Sequence, residues 1–362
     1  MKRLSRRQFV KLACATATAT FFAPGCTPGA AGPAPTRTQV PAPGGEEVPS
    51  LAPTRTRSLA PTAGVAPPST PTAGSAASSA PTVEPAAPSA PAAGHAYLAV
   101  ARGSDPARLT QAALAALGGI ERFVKSGDDV IVKPNICVAY HTPEYAATTN
   151  PAVVASLVTL CLGAGARRVR VMDMPFGGTP EAAYAISGIE EAVKAAGGEM
   201  EIMSPIKFAK TAIPEGKDIT SWEIYQDVLN ADVVINVPIA KHHSSARLSL
   251  GIKNLLGVIT RPNLMHRDLG QRPADLASRV RPSLTVVDAV RILVAHGPSG
   301  GSLNDVRQMD TVIASHDFVA ADAYAATLFG MSGADIPYIQ AAARMDLGTL
   351  ELDRVKLEEI NV

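Results

Sequence analysis

Three segments decide the fold: DDVIVK (128–133), NPAVVASLVTLC (150–161) and VRVMD (169–173). The first and third are short, mostly apolar runs that end on a charged residue, a pattern that predicts buried strands. The middle segment begins with an N-cap asparagine and a proline at the first helical position, and its apolar residues follow helical spacing. Together they predict a β-α-β unit with two parallel strands and a right-handed crossover.

The same alternation continues on both sides of this unit. Further strands are predicted at 97–101, 199–203, 231–238, 283–288, 311–315 and 355–360, and helices at 105–123, 180–196, 318–329 and 336–345. Strands that alternate with helices indicate an α/β fold, a layered and mostly parallel β-sheet flanked by helices. We expect one folded domain over residues 95–362.

The first 26 residues predict an export signal. Residues 5–11 read SRRQFVK, the twin-arginine pattern, and a moderately apolar run follows from Leu12 to Phe22. This run is shorter than the roughly 20 apolar residues that a spanning helix needs. We therefore expect the twin-arginine translocase to export the chain to the periplasm or the outer face of the cytoplasmic membrane.

Cys26 leaves two alternatives open. Gly25 precedes it and a long tether follows it, which favours lipid modification, whereas Ala23 and Pro24 make a poor lipobox. The other alternative is cleavage near residues 30–32 without a lipid. If Cys26 carries the lipid, it anchors the chain to the membrane.

Residues 27–94 are predicted to be a disordered linker. They hold 15 of the 30 prolines and no Phe, Tyr or Trp, so they cannot bury enough apolar area to offset the entropy of ordering. Residues 95–362 carry a net charge of −4, because 25 Lys and Arg stand against 29 Asp and Glu. This balance excludes a basic nucleic-acid surface, so we expect no nucleic-acid partner.

Polar side chains follow most of the predicted strands. Where parallel strands end, open α/β sheets bind their ligands. Such residues also meet solvent and cap helices, but their recurrence after five strands favours a shared cleft. They are Lys133, Asn135, Asp173, Asn236, Lys241, His242, Asp288, His316 and Asp317.

Three further polar residues lie inside apolar runs. Lys253 and Asn254 interrupt GIKNLLG (251–257), and Asp322 lies among alanines where an unpaired carboxylate would be costly. We nominate Asp173, His242, Asp288 and Asp322 for acid–base chemistry or metal ligation. For binding an anionic ligand or cofactor we nominate Lys133, Asn135, Lys241, Lys253 and Asn254.

Some of these nominated residues have a second interpretation. Lys133 is either an edge lysine or an anion ligand, and the segment 241–243 (Lys-His-His) suits a metal or a phosphate. Consecutive strand residues face opposite sides, so at most one of the two histidines faces the cleft. Asp317 is well placed to cap the helix that follows it.

The spacing of cysteines and histidines limits the cofactors. All seven histidines fall in residues 95–362, yet none shows the spacing of a zinc site, and the metal stays unknown. Cys137 is either a cleft thiol or a packed one, and Cys161 lies on an apolar helix face. Without a CxxC we expect no iron–sulfur cluster within the chain. Nucleotide and hydrolase motifs such as GxGxxG, the P-loop and GxSxG are also absent.

Several of these segments in order resemble one family, the domain of unknown function family 362. They are VKPN (132–135), TTNP (148–151), GARRVRVMD (165–173), ADVVINVP (231–238) into Lys241-His242, GIKNLLG (251–257), Val287-Asp288, HGP (296–298) and the helix with Asp317 and Asp322. The resemblance implies an α/β fold over the whole folded part. Members often carry a ferredoxin-like iron–sulfur module, which implies redox chemistry, but this chain lacks the cysteines for one.

Three functions remain in competition. The first is an exported enzyme that uses a metal or an anionic cofactor in the cleft. The second is an accessory factor for an iron–sulfur redox complex, which would make an iron–sulfur protein a partner. The third is a tethered protein that binds a solute or phosphorylated ligand without turnover.

Overall fold

The computed structural model describes residues 95–362, and the predicted signal, Cys26 and the linker lie outside them. The strands are β1 (Leu98–Arg102), β2 (Asp129–Pro134), β3 (Arg168–Val171), β4 (Glu199–Met200), β5 (Phe208–Ala212), β6 (Ser221–Tyr225), β7 (Val233–Val237), β8 (Ile239–His243), β9 (Arg247–Ser249), β10 (Leu284–Leu293), β11 (Val306–Ser315) and β12 (Leu357–Asn361). The helices are α1 (Pro106–Ala116), α2 (Pro151–Gly163), α3 (Pro180–Ile186), α4 (Ile189–Ala195), α5 (Gln226–Asn230), α6 (Gly251–Asn254), α7 (Arg272–Val280), α8 (Phe318–Thr327) and α9 (Pro337–Arg344).

A ten-stranded sheet organises these elements. Its main path runs β12-β1-β11-β10-β7-β2-β3-β4, and β8 and β9 extend it beside β10. The neighbours from β10 to β4 are parallel, as are β12 and β1, whereas β11 is antiparallel to both of its neighbours. The predicted fold class, a mostly parallel α/β sheet flanked by helices, is confirmed.

The apolar core lies on both faces of the sheet, because neighbouring residues in a strand point to opposite sides. In β2, Val130 and Val132 belong to one core cluster and Ile131 to the other. Helices α1 to α4 cover the first face, and α6 to α9 cover the second. Strands covered on both sides read as nearly continuous apolar runs, which is why DDVIVK was recognisable.

The predicted β-α-β unit is present as β2, α2 and β3. Asn150 caps α2 by accepting a hydrogen bond from the Ala152 N–H at 2.9 Å, and Pro151 occupies the first turn. Strands β2 and β3 pair in parallel from Asp129 and Arg168 onwards.

Two predicted helices are shorter than expected because glycines interrupt them. The segment predicted over 180–196 forms α3 and α4, separated at Gly188, whose φ of 69° is a conformation that glycine adopts without strain. The segment predicted over 105–123 ends its α-helix at Ala116 and continues as a short 3₁₀ turn. The antiparallel pair of β5 and β6, the pair of β8 and β9, and helix α7 were not predicted.

None of the helices between residues 95 and 362 is long and apolar enough to cross a membrane.

Candidate functional site

A buried ion pair lies where β2 and β3 end. Lys133 Nζ is 2.8 Å from Asp173 Oδ1, and both side chains are almost fully buried. Asp173 Oδ2 accepts a hydrogen bond from the Ile136 N–H, which holds the chain that leaves β2. Burial lowers the pKa of Lys133 and raises the pKa of Asp173, and the attraction between the two charges opposes both shifts.

Asn254, at the end of α6, connects this pair to the neighbouring strands. Its Oδ1 accepts hydrogen bonds from Lys133 Nζ at 2.8 Å and from Asn135 Nδ2 at 2.9 Å. Its Nδ2 donates to Asn236 Oδ1 at 2.8 Å, near the end of β7. One amide therefore bridges residues of β2, β7 and the loop after β2.

Lys241 joins the network from β8. Its Nζ donates to Asn135 Oδ1 at 2.8 Å and to the carbonyl of Ala147 at 2.6 Å, and the residue is 1% exposed. Both acceptors are neutral, and no carboxylate in residues 95–362 lies within ion-pair distance of Lys241. Its positive charge is therefore solvated by dipoles alone.

Gly257 lets the backbone after α6 approach the ion pair. A Cβ at this position would lie 1.9 Å from Asp173 Oδ1 and 2.7 Å from Lys133 Nζ. The carbonyl of Gly257 also accepts a hydrogen bond from the Met174 N–H. The glycine that ends GIKNLLG is thus required by a close contact with the ion pair.

Lys253 lies beside this network and has no polar partner of its own. The residue is partly exposed, and within residues 95–362 its ammonium group forms neither an ion pair nor a hydrogen bond. Burial of the ammonium group, with a smaller contribution from the charge of Lys241, lowers the pKa of Lys253 to about 8. Within residues 95–362, Lys253 is therefore a cation without a counterion.

Two histidines lie near enough to Lys253 for its charge to help lower their pKa. His243 is buried, and its Nδ1 accepts hydrogen bonds from the N–H groups of Ser245 and Ala246, both at 3.1 Å. An accepting Nδ1 places the proton of the neutral ring on Nε2, which becomes a donor. Burial, helped by Lys253, lowers the pKa of His243 to about 3. The exposed His266 ring meets His243 edge-on at 5.8 Å, and its pKa is lowered by the same two causes.

Cys137 lies near Lys241 and Lys253. It is buried, and its Sγ donates to the carbonyl of Pro298 at 3.5 Å. Burial raises the pKa of this thiol, although Lys241 and Lys253 oppose the shift. Cys137 and Cys161 are both free, and burial raises the pKa of Cys161 to about 12. Both thiols are thus held protonated near neutral pH.

His242 faces the loop after β10 rather than Lys253. Its Nδ1 accepts a hydrogen bond from the Gly297 N–H at 3.1 Å. A Cβ at Gly297 would lie 1.8 Å from the carbonyl oxygen of His242, so the loop packs tightly on β8. The two histidines point to opposite sides, and the buried His243 is the one beside Lys253.

Asp288 and Asp322 each accept two backbone hydrogen bonds. Asp288 accepts from the N–H groups of Asn150 and Val290, and burial raises its pKa to about 6. Asp322 accepts from Gly251 at 2.6 Å and Ile252 at 2.9 Å, and burial raises its pKa to about 7. Asp288 thus holds the start of α2, and Asp322 the start of α6.

The carboxylates do not form a metal centre. In the described part of the chain, no group of three or more His, Cys, Asp or Glu side chains is arranged to hold a metal ion. Asp173 is paired with Lys133, and the other two nominated carboxylates accept backbone N–H groups. The donors present do not fit a metal.

The expectation that five strands end at one edge was wrong for β11. Because β11 runs antiparallel to β10, Ser315 pairs with Thr285 near the start of β10. His316 and Asp317 therefore lie at the opposite edge of the sheet. Asp317 caps α8 by accepting from Val319 and Ala320, as predicted.

The structure brings together Lys133, Asn135, Asp173, Lys241 and Asn254 in one hydrogen-bonded network, with Lys253 at its side. Asp288, Asp322 and His242 lie around it as supports for backbone segments. Sequence reasoning missed His266, which belongs to a 3₁₀ segment without a strand-end or periodic signal. It also gave Gly257 no role, although this glycine ends a segment that was already singled out.

Comparison with known families places the chain. A family model described as "Domain of unknown function (DUF362)" matches residues 130–327, more than half of the chain. The chain belongs to this family. The matched segment contains every nominated site residue of this DUF362 protein, from Lys133 to Asp322.

Three individual proteins are also similar to this chain, at low sequence identity. A thylakoid-associated protein of Synechocystis sp. is 28% identical over 248 residues, which cover 64% of this chain and 72% of that protein. The lactate racemase apoprotein from Thermoanaerobacterium thermosaccharolyticum matches with 13% identity and a TM-score of 0.36, over 62% of this chain and 57% of that one. A Thermotoga maritima protein matches with 12% identity and a TM-score of 0.35, over 63% and 60%. The DUF362 chain thus spans less than two thirds of either solved structure, and these likenesses carry no argument about function.

Proposed function

We propose that this DUF362 protein is an exported, membrane-tethered enzyme that acts on an anionic ligand or cofactor held beside Lys253. One observation carries the proposal: neither Lys241 nor Lys253 has a carboxylate partner within residues 95–362. The oxygens that accept hydrogen bonds from Lys241, Asn135 Oδ1 and the carbonyl of Ala147, are neutral. Within the same residues 95–362, Lys253 has no polar partner.

Uncompensated charges inside a protein are costly, and an anion would offset that cost. Of the three lysines, Lys133 is neutralised by Asp173, so two positive charges remain. Lys253 is partly exposed and would contact the ligand. Lys241 would act through its charge, and the Nε2–H of His243 would supply a hydrogen bond.

The pKa of Lys253 favours catalysis over simple capture. A protein that only captured an anion would need the positive charge and not a lysine pKa near neutrality. Burial brings the pKa of Lys253 to about 8, where the amine is present in both protonation states at working pH. Groups tuned in this way concentrate at catalytic sites.

Export and tethering are supported by the SRRQFVK segment and by Cys26 before a long linker. The Synechocystis relative is described as thylakoid-associated, which supports a place at a membrane for this chain too. Replacing both Arg6 and Arg7 with lysine should retain the chain in the cytoplasm in a cell-fractionation experiment. Cys26→Ser should release an exported chain from the membrane fraction, and unchanged fractionation of both variants would contradict the proposal.

A thermal-unfolding comparison tests the anion site. Sulfate, added to the full-length chain against a chloride solution of equal ionic strength, should raise the unfolding midpoint, because a ligand that binds only the folded state stabilises it. Lys253→Met should abolish this rise, and Lys241→Met should reduce it. Lys210→Met removes an exposed lysine of β5 and should leave the rise unchanged. An equal sulfate effect in all variants would contradict the proposal.

A further inference from the structure

Lys253 differs from the other lysines of the site in the contacts of its nitrogen atom. Lys133 Nζ contacts Asp173, Asn254 and the carbonyl of Pro134. Lys241 Nζ is also occupied, by Asn135 and Ala147. Within the described part of the chain, Lys253 Nζ is engaged by no hydrogen bond or carboxylate, and the residue is partly exposed. In these residues its nitrogen therefore has no polar contact that a ligand would have to replace.

The surroundings of Lys253 favour the neutral amine. The positive charge of Lys241 disfavours a second ammonium nearby, and no carboxylate of residues 95–362 forms an ion pair with Lys253. The charge of Lys253 also helps to lower the pKa of His243 and the pKa of His266. A lysine that is desolvated and lies beside another cation is activated as a nucleophile, because its lone pair is available near neutral pH.

The groups around this amine recognise an anion. His243 Nδ1 accepts two backbone N–H groups, so its Nε2–H is a donor without a partner among residues 95–362. Lys241 adds a positive charge on the side of Cys137. An electrophile that carries its own negative charge, such as a carboxylate next to a carbonyl, matches both features.

We infer that Lys253 forms a Schiff base with the carbonyl group of a small anionic ligand of the 2-oxo acid class. This inference rests on the proposed function, since the same cluster attracts the anion. The neutral amine nitrogen attacks the carbonyl carbon, and a C=N bond replaces the C=O bond. The carbonyl oxygen leaves as water together with the two hydrogens of the amine, so no oxidant or reductant is required.

Reductive trapping tests this inference. The full-length chain is incubated at pH 7 with pyruvate and cyanoborohydride, digested, and analysed by mass spectrometry for the modified lysine. We expect Lys253 to be labelled roughly tenfold or more faster than the exposed Lys210, because a lysine pKa near 8 gives a far larger neutral fraction. Acetone, which lacks the negative charge, should label Lys253 more slowly than pyruvate does. Labelling of Lys253 no faster than Lys210 would overturn the inference.

Lys253→Arg separates this inference from the anion site. Arginine keeps the positive charge but is not a nucleophilic amine, so the variant should still be stabilised by sulfate while pyruvate labelling at position 253 is lost. If sulfate stabilises the wild-type chain and Lys253 is still not labelled, the Schiff base is wrong and the anion site stands. If sulfate has no effect and acetone labels Lys253 as fast as pyruvate does, the anion site is wrong and with it the 2-oxo acid class.

Discussion

Asp322 lies in the alanine-rich helix α8, where it is fully buried. Its two oxygens accept the N–H groups of Gly251 and Ile252, the first residues of the segment that carries Lys253 and Asn254. Sequence reasoning established that this carboxylate needs a partner, because an isolated buried charge is unfavourable. It did not establish that the partner would be a backbone segment, since contacts across more than 70 positions leave no trace in local spacing.

Asp322 should make the stability of the protein depend on pH. Burial raises its pKa to about 7, so between about pH 4 and pH 7 the folded chain holds a proton that the unfolded chain releases. The contribution of Asp322 to the free energy of unfolding is present below pH 4. It decreases as pH rises through 7, with a slope of up to about 1.4 kcal/mol per pH unit.

Asp322→Asn checks this expectation in urea unfolding between pH 4.5 and pH 8. The slope should become shallower in the variant but not vanish, because Asp288, whose pKa burial raises to about 6, loses a proton in the same range. The variant should also be less stable by about 1–3 kcal/mol, because its amide offers one acceptor to two backbone donors. The exposed Asp353→Asn variant should keep the slope of the wild type. A slope in Asp322→Asn as steep as that of the wild type would contradict the role given to Asp322.

At the scale of elements, the sequence predicted the strands better than their directions. The apolar runs of β2, β3 and β7 identified them as buried, and Asn150-Pro151 identified the start of α2. The antiparallel direction of β11 was not predictable, because an apolar run looks the same in either direction. That error moved His316 and Asp317 to the wrong edge of the sheet, whereas the residues after the parallel strands came together as expected.

Gly257 lies in the 3₁₀ turn Leu255–Val258, which follows α6 and contacts the ends of β2 and β3. Gly257→Ala would force a methyl group against Asp173 and Lys133. Since disrupting a buried ion pair costs about 3–5 kcal/mol, we expect a loss of that order in the free energy of unfolding, together with a weaker effect of sulfate.

Gly163→Ala is the matched control for this change. Gly163 ends α2, and a Cβ there would have no neighbour within 4 Å. Its substitution should leave the free energy of unfolding within about 1 kcal/mol of the wild type or raise it, because alanine favours a helix. Equal stability of the two variants in urea unfolding would contradict the role given to Gly257.

At the scale of the whole molecule, the net charge does not reveal the lysine-rich site. Residues 95–362 carry a net charge of −4, yet the edge where β2, β7 and β8 end gathers three lysines, of which only Lys133 forms an ion pair within these residues. The sequence predicted this local excess because each lysine follows a strand or interrupts an apolar run. It could not assign Lys133 to Asp173 or leave Lys253 unpaired, since those outcomes depend on how side chains meet across the sheet.

The central claim is that Lys253, in its charged form, holds an anion. Calorimetric titration of the full-length chain with sulfate between pH 6 and pH 10 tests it most directly, because sulfate itself does not titrate there. We predict an affinity that is nearly constant up to about pH 7 and then falls about tenfold per unit above pH 8, with Lys253→Met binding weakly at every pH. An affinity that does not change with pH, or that is the same in Lys253→Met, would contradict the account.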